Sequence, residues 1–150
     1  MKEHQNLFRD LQEDFRKMKK NLLVAQSGGP TAAINATLAG VIKQAIKEEQ
    51  IDQVYGACYG IQGVLEQKFV NLTEKVDTEE KLEKLKRTPA AALGSCRFKL
   101  NDIKEDDSQY QEIVDILHKM NIGYFVYIGG NDSMDTVAKL SAYCKEKGVE

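Results

Sequence analysis

The chain is poor in the side chains that build disulfide frameworks and zinc sites. It has three cysteines and two histidines in 150 residues, with Cys58, Cys96 and Cys144 far apart and no C-x-x-C or Cys/His cluster. Those spacings argue against both, and leave the thiols as buried or incidental groups suited to a reducing cytosol. His4 and His118 have no partner at metal spacing. No apolar run approaches the ~20 residues of a membrane span, and the first residues lack the apolar stretch of a signal peptide. The expectation is a cytoplasmic protein with no membrane partner. The formal net charge is −2, so bulk electrostatics give no reason to expect nucleic acid. There is no internal repeat, no low-complexity tract, no G-x-G-x-x-G and no G-x-x-x-x-G-K-[ST].

What is present is a strand–Gly-Gly–helix junction, and it occurs twice. Tyr124–Ile128 is a short aromatic and β-branched run, the pattern of a fully buried strand in a parallel sheet. It stops at Gly129-Gly130; Asn131, Asp132 and Ser133 follow, and Met134, Val137, Ala138 and Leu140 then set a helical rhythm to about Lys145. Asn21–Gln26 is a second apolar run, broken at Ser27-Gly28-Gly29-Pro30-Thr31. Ala32 to Ile46 follows as a helix with Ile34, Leu38, Val41, Ile42 and Ala45 facing inward. Such junctions put free backbone N–H groups at the C-terminal edge of a sheet, where open α/β sheets bind phosphates. The plain alternative is an ordinary turn with Asp132 or Ser133 as helix N-cap.

The length suits one domain. Residues 1–20 place Leu7, Phe8, Leu11 and Phe15 at helical intervals, either as an amphipathic helix packed on the domain or as an extension. Residues 21–150 carry the fold. Asp52–Tyr59 is a strand, Gly60 to Leu65 a turn, Lys68–Leu72 a short strand and Asp77–Lys86 a solvated helix with opposite charges about four residues apart. Pro89 to Leu100 runs through small residues into Gly94-Ser95, as a tightly packed strand ending in an exposed loop. Arg97 lies just past it, either a surface ion-pair partner or a bidentate clamp for phosphate oxygens. Asp106–Met120 is a helix with Ile113, Ile116, Leu117 and Met120 inward. Strands alternating with helices make a Rossmann-like α/β fold, a parallel sheet with helices on both faces, the economical architecture.

Three stretches, in order, then resemble one family. S-G-G-P-T-A-A-I-N-A at 27–36, A-L-G-S-C-R-F at 92–98 and Y-I-G-G-N-D-S at 127–133 are similar to the phosphofructokinases, and most similar to their pyrophosphate-dependent branch. The resemblance implies the donor-binding part of a lobe whose parent phosphorylates fructose 6-phosphate at its 1-hydroxyl, with pyrophosphate or ATP as donor and Mg²⁺ as cofactor. It also implies a homo-oligomer. Carried over by residue, Gly28 and Gly29 belong to the loop that meets the donor through backbone N–H. Arg97 bridges its phosphates and stabilises the transferring group, and Gly130, Asn131, Asp132 and Ser133 cradle the donor and its metal.

Two departures from that pattern matter. Asn131 stands where the metal-binding carboxylate usually lies, so Asn131 with Asp132 becomes the expected metal pair. Asp132 stands where ATP users carry Gly and pyrophosphate users carry Asp, so it becomes the expected donor selector. The family's catalytic base lies in a T-I-D motif on the next strand, which the sequence through Glu150 does not contain. Two function classes stay open: a phosphotransferase segment, or a domain that binds phosphate or nucleotide and performs no chemistry. A flavodoxin-like module is a third class, which the Arg97 loop argues against. Assayed alone, the 150-residue chain is expected to form no measurable fructose 1,6-bisphosphate, because general-base assistance contributes about 10²–10⁴-fold. Turnover near the rate of a complete phosphofructokinase would overturn that expectation.

Overall fold

The computed structural model describes residues 2–29 and 31–149; Pro30, the proline of the first glycine turn, lies outside them. In chain order the elements are α1 (Lys2–Met18), β1 (Lys20–Gln26), α2 (Ala32–Lys47), β2 (Ile51–Ala57), α3 (Gly60–Leu65) and β3 (Phe69–Asn71). They continue as α4 (Leu72–Lys75), α5 (Glu79–Arg87), α6 (Ser108–Lys119), β4 (Ile122–Ile128) and α7 (Asn131–Lys147). The strand order is β3-β2-β1-β4. β1 pairs in parallel with both β2 and β4, while β3 runs antiparallel along the outer edge of β2. The α/β architecture with helices on both faces is borne out, but the sheet is mixed and not wholly parallel. Too little chain separates β2 from β3 for a full parallel crossover, which takes a dozen residues or more.

β1 shows why these residues form a central strand. Its alternate side chains enter two different cores, as the period of two requires. Leu23 and Ala25 pack with Ile61, Tyr110, Ile113 and Tyr143 on the side of α3, α6 and α7. Leu22 and Val24 pack with Leu38, Ile42, Val54 and Leu82 on the side of α2 and α5. Thus Asn21–Gln26 reads as a continuous apolar run because both of its faces are covered.

β4 departs from expectation. Read as fully buried, it is an edge strand, with Tyr124 41% exposed and Phe125 through Ile128 half-buried. Its open side forms an apolar groove of about 320 Å³ with Leu117, Val137 and Leu140 among its lining residues. The face of α7 is rotated for the same reason. Ser133, Thr136, Leu140 and Tyr143 are buried, while Met134 and Val137 of the apolar rhythm are exposed, Val137 at that open edge. α1 is helical as its rhythm suggested, yet Leu7, Phe8, Leu11, Phe15 and Met18 are all exposed, so its apolar stripe does not pack on the sheet.

The stretch from Pro89 to Leu100 is not a strand. Residues 88–107 contain no helix or strand, so their backbone groups find partners elsewhere. Two buried amides supply them, Gln26 at the end of β1 and Asn35 in the first turn of α2, both fully inaccessible to solvent. Asn35 Nδ2 donates to Thr88 O at 2.8 Å and to Ala90 O, and its Oδ1 accepts from Ala92 N at 2.8 Å. Gln26 Oε1 accepts from Leu93 N at 2.8 Å, and its Nε2 donates to Ile34 O and to Asn35 Oδ1 at 3.2 and 3.1 Å. Small residues here serve close approach of the segment to the sheet.

Each buried polar group left unpaired costs about 1–3 kcal/mol. Asn35→Ala is therefore expected to lower unfolding free energy by about 2–4 kcal/mol, read by urea denaturation. A shift below about 0.5 kcal/mol, the range of ordinary surface changes, would show that the amide pair does not hold the segment.

Candidate functional site

β1 and β4 are neighbours that end level, with Gln26 opposite Ile128. The chain moves from β1 to β2 on one side, and β4 lies on the other side of β1. The strand order therefore reverses between β1 and β4, and the crevice beyond their C-terminal ends is the switch point where open α/β sheets take ligands. Both glycine pairs lie there.

The two loops touch. Ser27 N–H donates to Ile128 O at 2.7 Å, carrying the pairing one residue beyond the strands. Gly28 has φ +81°, and a Cβ on it would stand 3.2 Å from Gly130 N. A side chain there would meet both a left-handed backbone and the facing loop. A Cβ on Gly129 would come within 2.1 Å of Ser133 Oγ and 2.9 Å of Ser27 O. Glycine at these positions lets two backbones close on the same small volume.

α7 begins at Asn131, earlier than its apolar rhythm suggested, with Gly130 as N-cap and no side-chain capping bond. Asp132 thus lies inside the first turn and does not cap the helix, which corrects the plain reading of that residue. Met134 N–H is the first to close a helical turn, onto Gly130 O at 3.1 Å. The N–H groups before it present the positive end of a 17-residue helix to the crevice. Ser133 sits among them, 2% exposed, and its Oγ has no hydrogen-bond partner among the described residues. An orphaned buried hydroxyl is uncommon and calls for an acceptor or donor from outside.

The third component is the irregular segment. Ser27 Oγ donates to Cys96 O at 3.2 Å, and Ser95 Oγ donates to Gly28 O at 2.9 Å. Below them Ile61 N–H donates to the Tyr127 hydroxyl at 3.2 Å, with Cys96 Sγ 3.9 Å from that oxygen. Burial raises the Tyr127 phenol above its ordinary value, against its hydrogen bonds with Ser27 and Ile61 N–H, so it stays neutral. Arg97 follows directly, exposed, and it takes part in none of the salt bridges among the described residues. The geometry thus gives Arg97 no surface ion-pair partner there.

Gly28, Gly29, Arg97, Gly130, Asn131, Asp132 and Ser133, widely separated in the chain, all line one cleft of about 800 Å³. Tyr127, Lys99 and Thr136 line it too, and sequence reasoning had not included them. Thr136 Oγ1 donates to Asp132 O at 3.0 Å, back-bonding within the helix. Lys99 could have been found from its place two residues after Arg97 in the same loop.

A cleft floored by glycine backbones and a helix N-terminus, with an arginine on its rim, offers the donors and positive charge that a polyanion would need. The phosphofructokinase family's sequence profile matches residues 21–149. The chain belongs to the phosphofructokinase family. The pyrophosphate–fructose 6-phosphate 1-phosphotransferase of Rhodospirillum rubrum is 44% identical over 123 residues, covering 82% of this chain and 29% of that protein. The ATP-dependent 6-phosphofructokinase 3 of Bacteroides thetaiotaomicron is 32% identical over 122 residues, covering 79% of this chain and 34% of that protein. Among solved phosphofructokinases, the pyrophosphate-dependent one from Nitrosospira multiformis superposes with a TM-score of 0.78 and 37% identity, over 86% of this chain and 31% of that one. The chain therefore spans about three-tenths of the length of its phosphofructokinase relatives. The profile begins after α1, which lies outside the match.

If Arg97 is a phosphate clamp, its planar fork is what counts, because lysine offers only a point charge. Arg97→Lys in the full-length protein is expected to lower turnover about 100-fold, the size of losing one aimed charge-stabilising donor. Unaltered steady-state kinetics would remove Arg97 from the site.

Proposed function

We propose that this chain holds the phosphoryl donor in a phosphotransferase that converts fructose 6-phosphate to fructose 1,6-bisphosphate, with pyrophosphate as donor. The observation that carries the reading is the convergence of both glycine turns, the start of α7 and Arg97 on one cleft. Phosphoryl transfer asks a protein mainly for positioning and for neutralisation of charge spreading over the phosphoryl oxygens. In this reading the N–H groups of Gly28, Gly29 and the first turn of α7 receive donor oxygens, and Ser133 Oγ gains the partner it lacks. Arg97 spans the bond that breaks and lies where negative charge develops. The backbone groups of the two turns and the helix start are held before the donor arrives, so little reorganisation is asked of them in the transition state.

Asn131 and Asp132 are the residues that would hold Mg²⁺. Among the described residues no cluster of three His, Cys, Asp or Glu side chains offers a protein cage for a metal. That suits Mg²⁺, which keeps waters and binds through one or two side-chain oxygens plus substrate phosphates. When bound, the ion would neutralise and orient donor oxygens. We place the protein in the cytosol as a homo-oligomer. Three free thiols fit a reducing compartment, and no helix among the described residues is long and apolar enough to cross a membrane.

Donor choice rests on Asp132. Its side chain is exposed at the cleft, in the first turn of α7. A carboxylate there occupies space a nucleotide's α-phosphate would need and sets two anions together in a partly dehydrated cleft. Pyrophosphate ends before that point. Capping does not explain the residue, because α7 has no side-chain cap. The identity to an ATP-dependent relative keeps ATP as the second reading.

Asp132→Gly in the full-length protein is expected to raise the ATP-to-pyrophosphate ratio of kcat/KM by about tenfold or more, a difference of ~1.4 kcal/mol in transition-state binding. A wild type that already prefers ATP, or a variant with an unchanged ratio, would defeat the assignment.

A further inference from the structure

Across the cleft, Lys99 Nζ stands 3.7 Å from Asp132 Oδ1, both side chains 77% exposed and both lining the cleft. The two residues come from different walls, Lys99 from the irregular segment that carries Arg97 and Asp132 from the first turn of α7. Around Lys99 the exposure varies along the segment. Leu100 is buried in the core beside β1 and Phe98 is half-buried between core and cleft, whereas Arg97 and Lys99 are exposed at the cleft. Both cations of this segment thus reach the same cleft, with Leu100 anchoring the chain beyond them.

We propose that Lys99 is a specificity-determining residue of the donor site, a cation whose charge Asp132 holds in check. This rests on the reading of the cleft as a donor site and extends it. So exposed a pair adds little to folding, since surface ion pairs are worth roughly 0–1 kcal/mol. Its consequence lies in where the charges stand. While Asp132 holds Lys99, the ammonium shields an incoming pyrophosphate from the carboxylate and is itself not available to a further phosphate. Without Asp132, the same ammonium is free to receive that phosphate. Asp132 therefore selects in two ways, by standing in the path of a longer donor and by occupying the cation that such a donor would use.

The test is a cycle of Asp132→Gly, Lys99→Met and the double variant in the full-length protein. Turnover is measured with pyrophosphate and with ATP, and calorimetric binding with inorganic pyrophosphate. Lys99→Met is expected to raise the KM and the dissociation constant for pyrophosphate about tenfold, because the carboxylate is then unshielded. It should leave kcat and the melting temperature nearly unchanged. The loss should shrink as ionic strength rises, and Lys99→Arg should restore binding. In the double variant, the ATP use gained by Asp132→Gly is expected to disappear. Retention of that gain, or unchanged pyrophosphate binding in Lys99→Met, would overturn the role of Lys99. Failure of the wild type to turn over pyrophosphate, with binding intact and sensitive to Lys99, would overturn the reading of the reaction and uphold Lys99. Failure to bind pyrophosphate at all would overturn both.

Discussion

Two buried amides hold the architecture of the cleft together. A segment that must reach from the sheet to the rim, and there present an arginine, cannot be a strand in the ladder, and an irregular backbone against a core needs partners for every polar group. Gln26 and Asn35 provide them at Thr88, Ala90, Ala92 and Leu93. The same two side chains bond to each other, so the end of β1, the start of α2 and the segment form one polar unit inside an otherwise apolar face. Such a unit stabilises only when every member is satisfied, which makes it a strict geometric constraint. From it the position of Ser95, Cys96 and Arg97 follows, through the bonds of Ser95 and Ser27 to the facing loop.

The floor of the cleft has a different origin. Neither glycine turn is a site by itself; the reversal of strand order at β1 and β4 brings them together. Once adjacent, they can approach only without side chains, as the space around Gly28 and Gly129 shows. α7 then starts with no side-chain cap and with Ser133 Oγ buried and without a partner among the described residues, a cost that a bound phosphate would remove. Positive potential from the helix end and Arg97 is set against a single carboxylate, Asp132, itself balanced by Lys99.

Much was legible from local pattern. The apolar runs located β1, β2 and β4, and the 3.6-residue rhythm located α2 and α6, because each is a direct record of which side a residue buries. The glycine pairs marked the ends of β1 and β4, and all seven residues expected at the site line one cleft. The misreadings share a cause. Pro89–Leu100 looked like a strand because small residues also suit a close-packed loop. Tyr124–Ile128 looked like an interior strand, because apolar character does not reveal whether a neighbour covers it.

The sequence by itself determined the alternation of elements, the two glycine turns and the family, since each depends on residues near one another or on motif order. Only the tertiary structure decided which strand lies at the edge, that α7 begins without a side-chain cap, and that Gln26 and Asn35 hold the arginine segment. The Lys99–Asp132 pair belongs to the same class. Lys99 and Asp132 are far apart in the chain and meet because β1 and β4 lie side by side. Pairing between distant side chains is set by how layers stack and which backbone groups need partners, and no local periodicity records either.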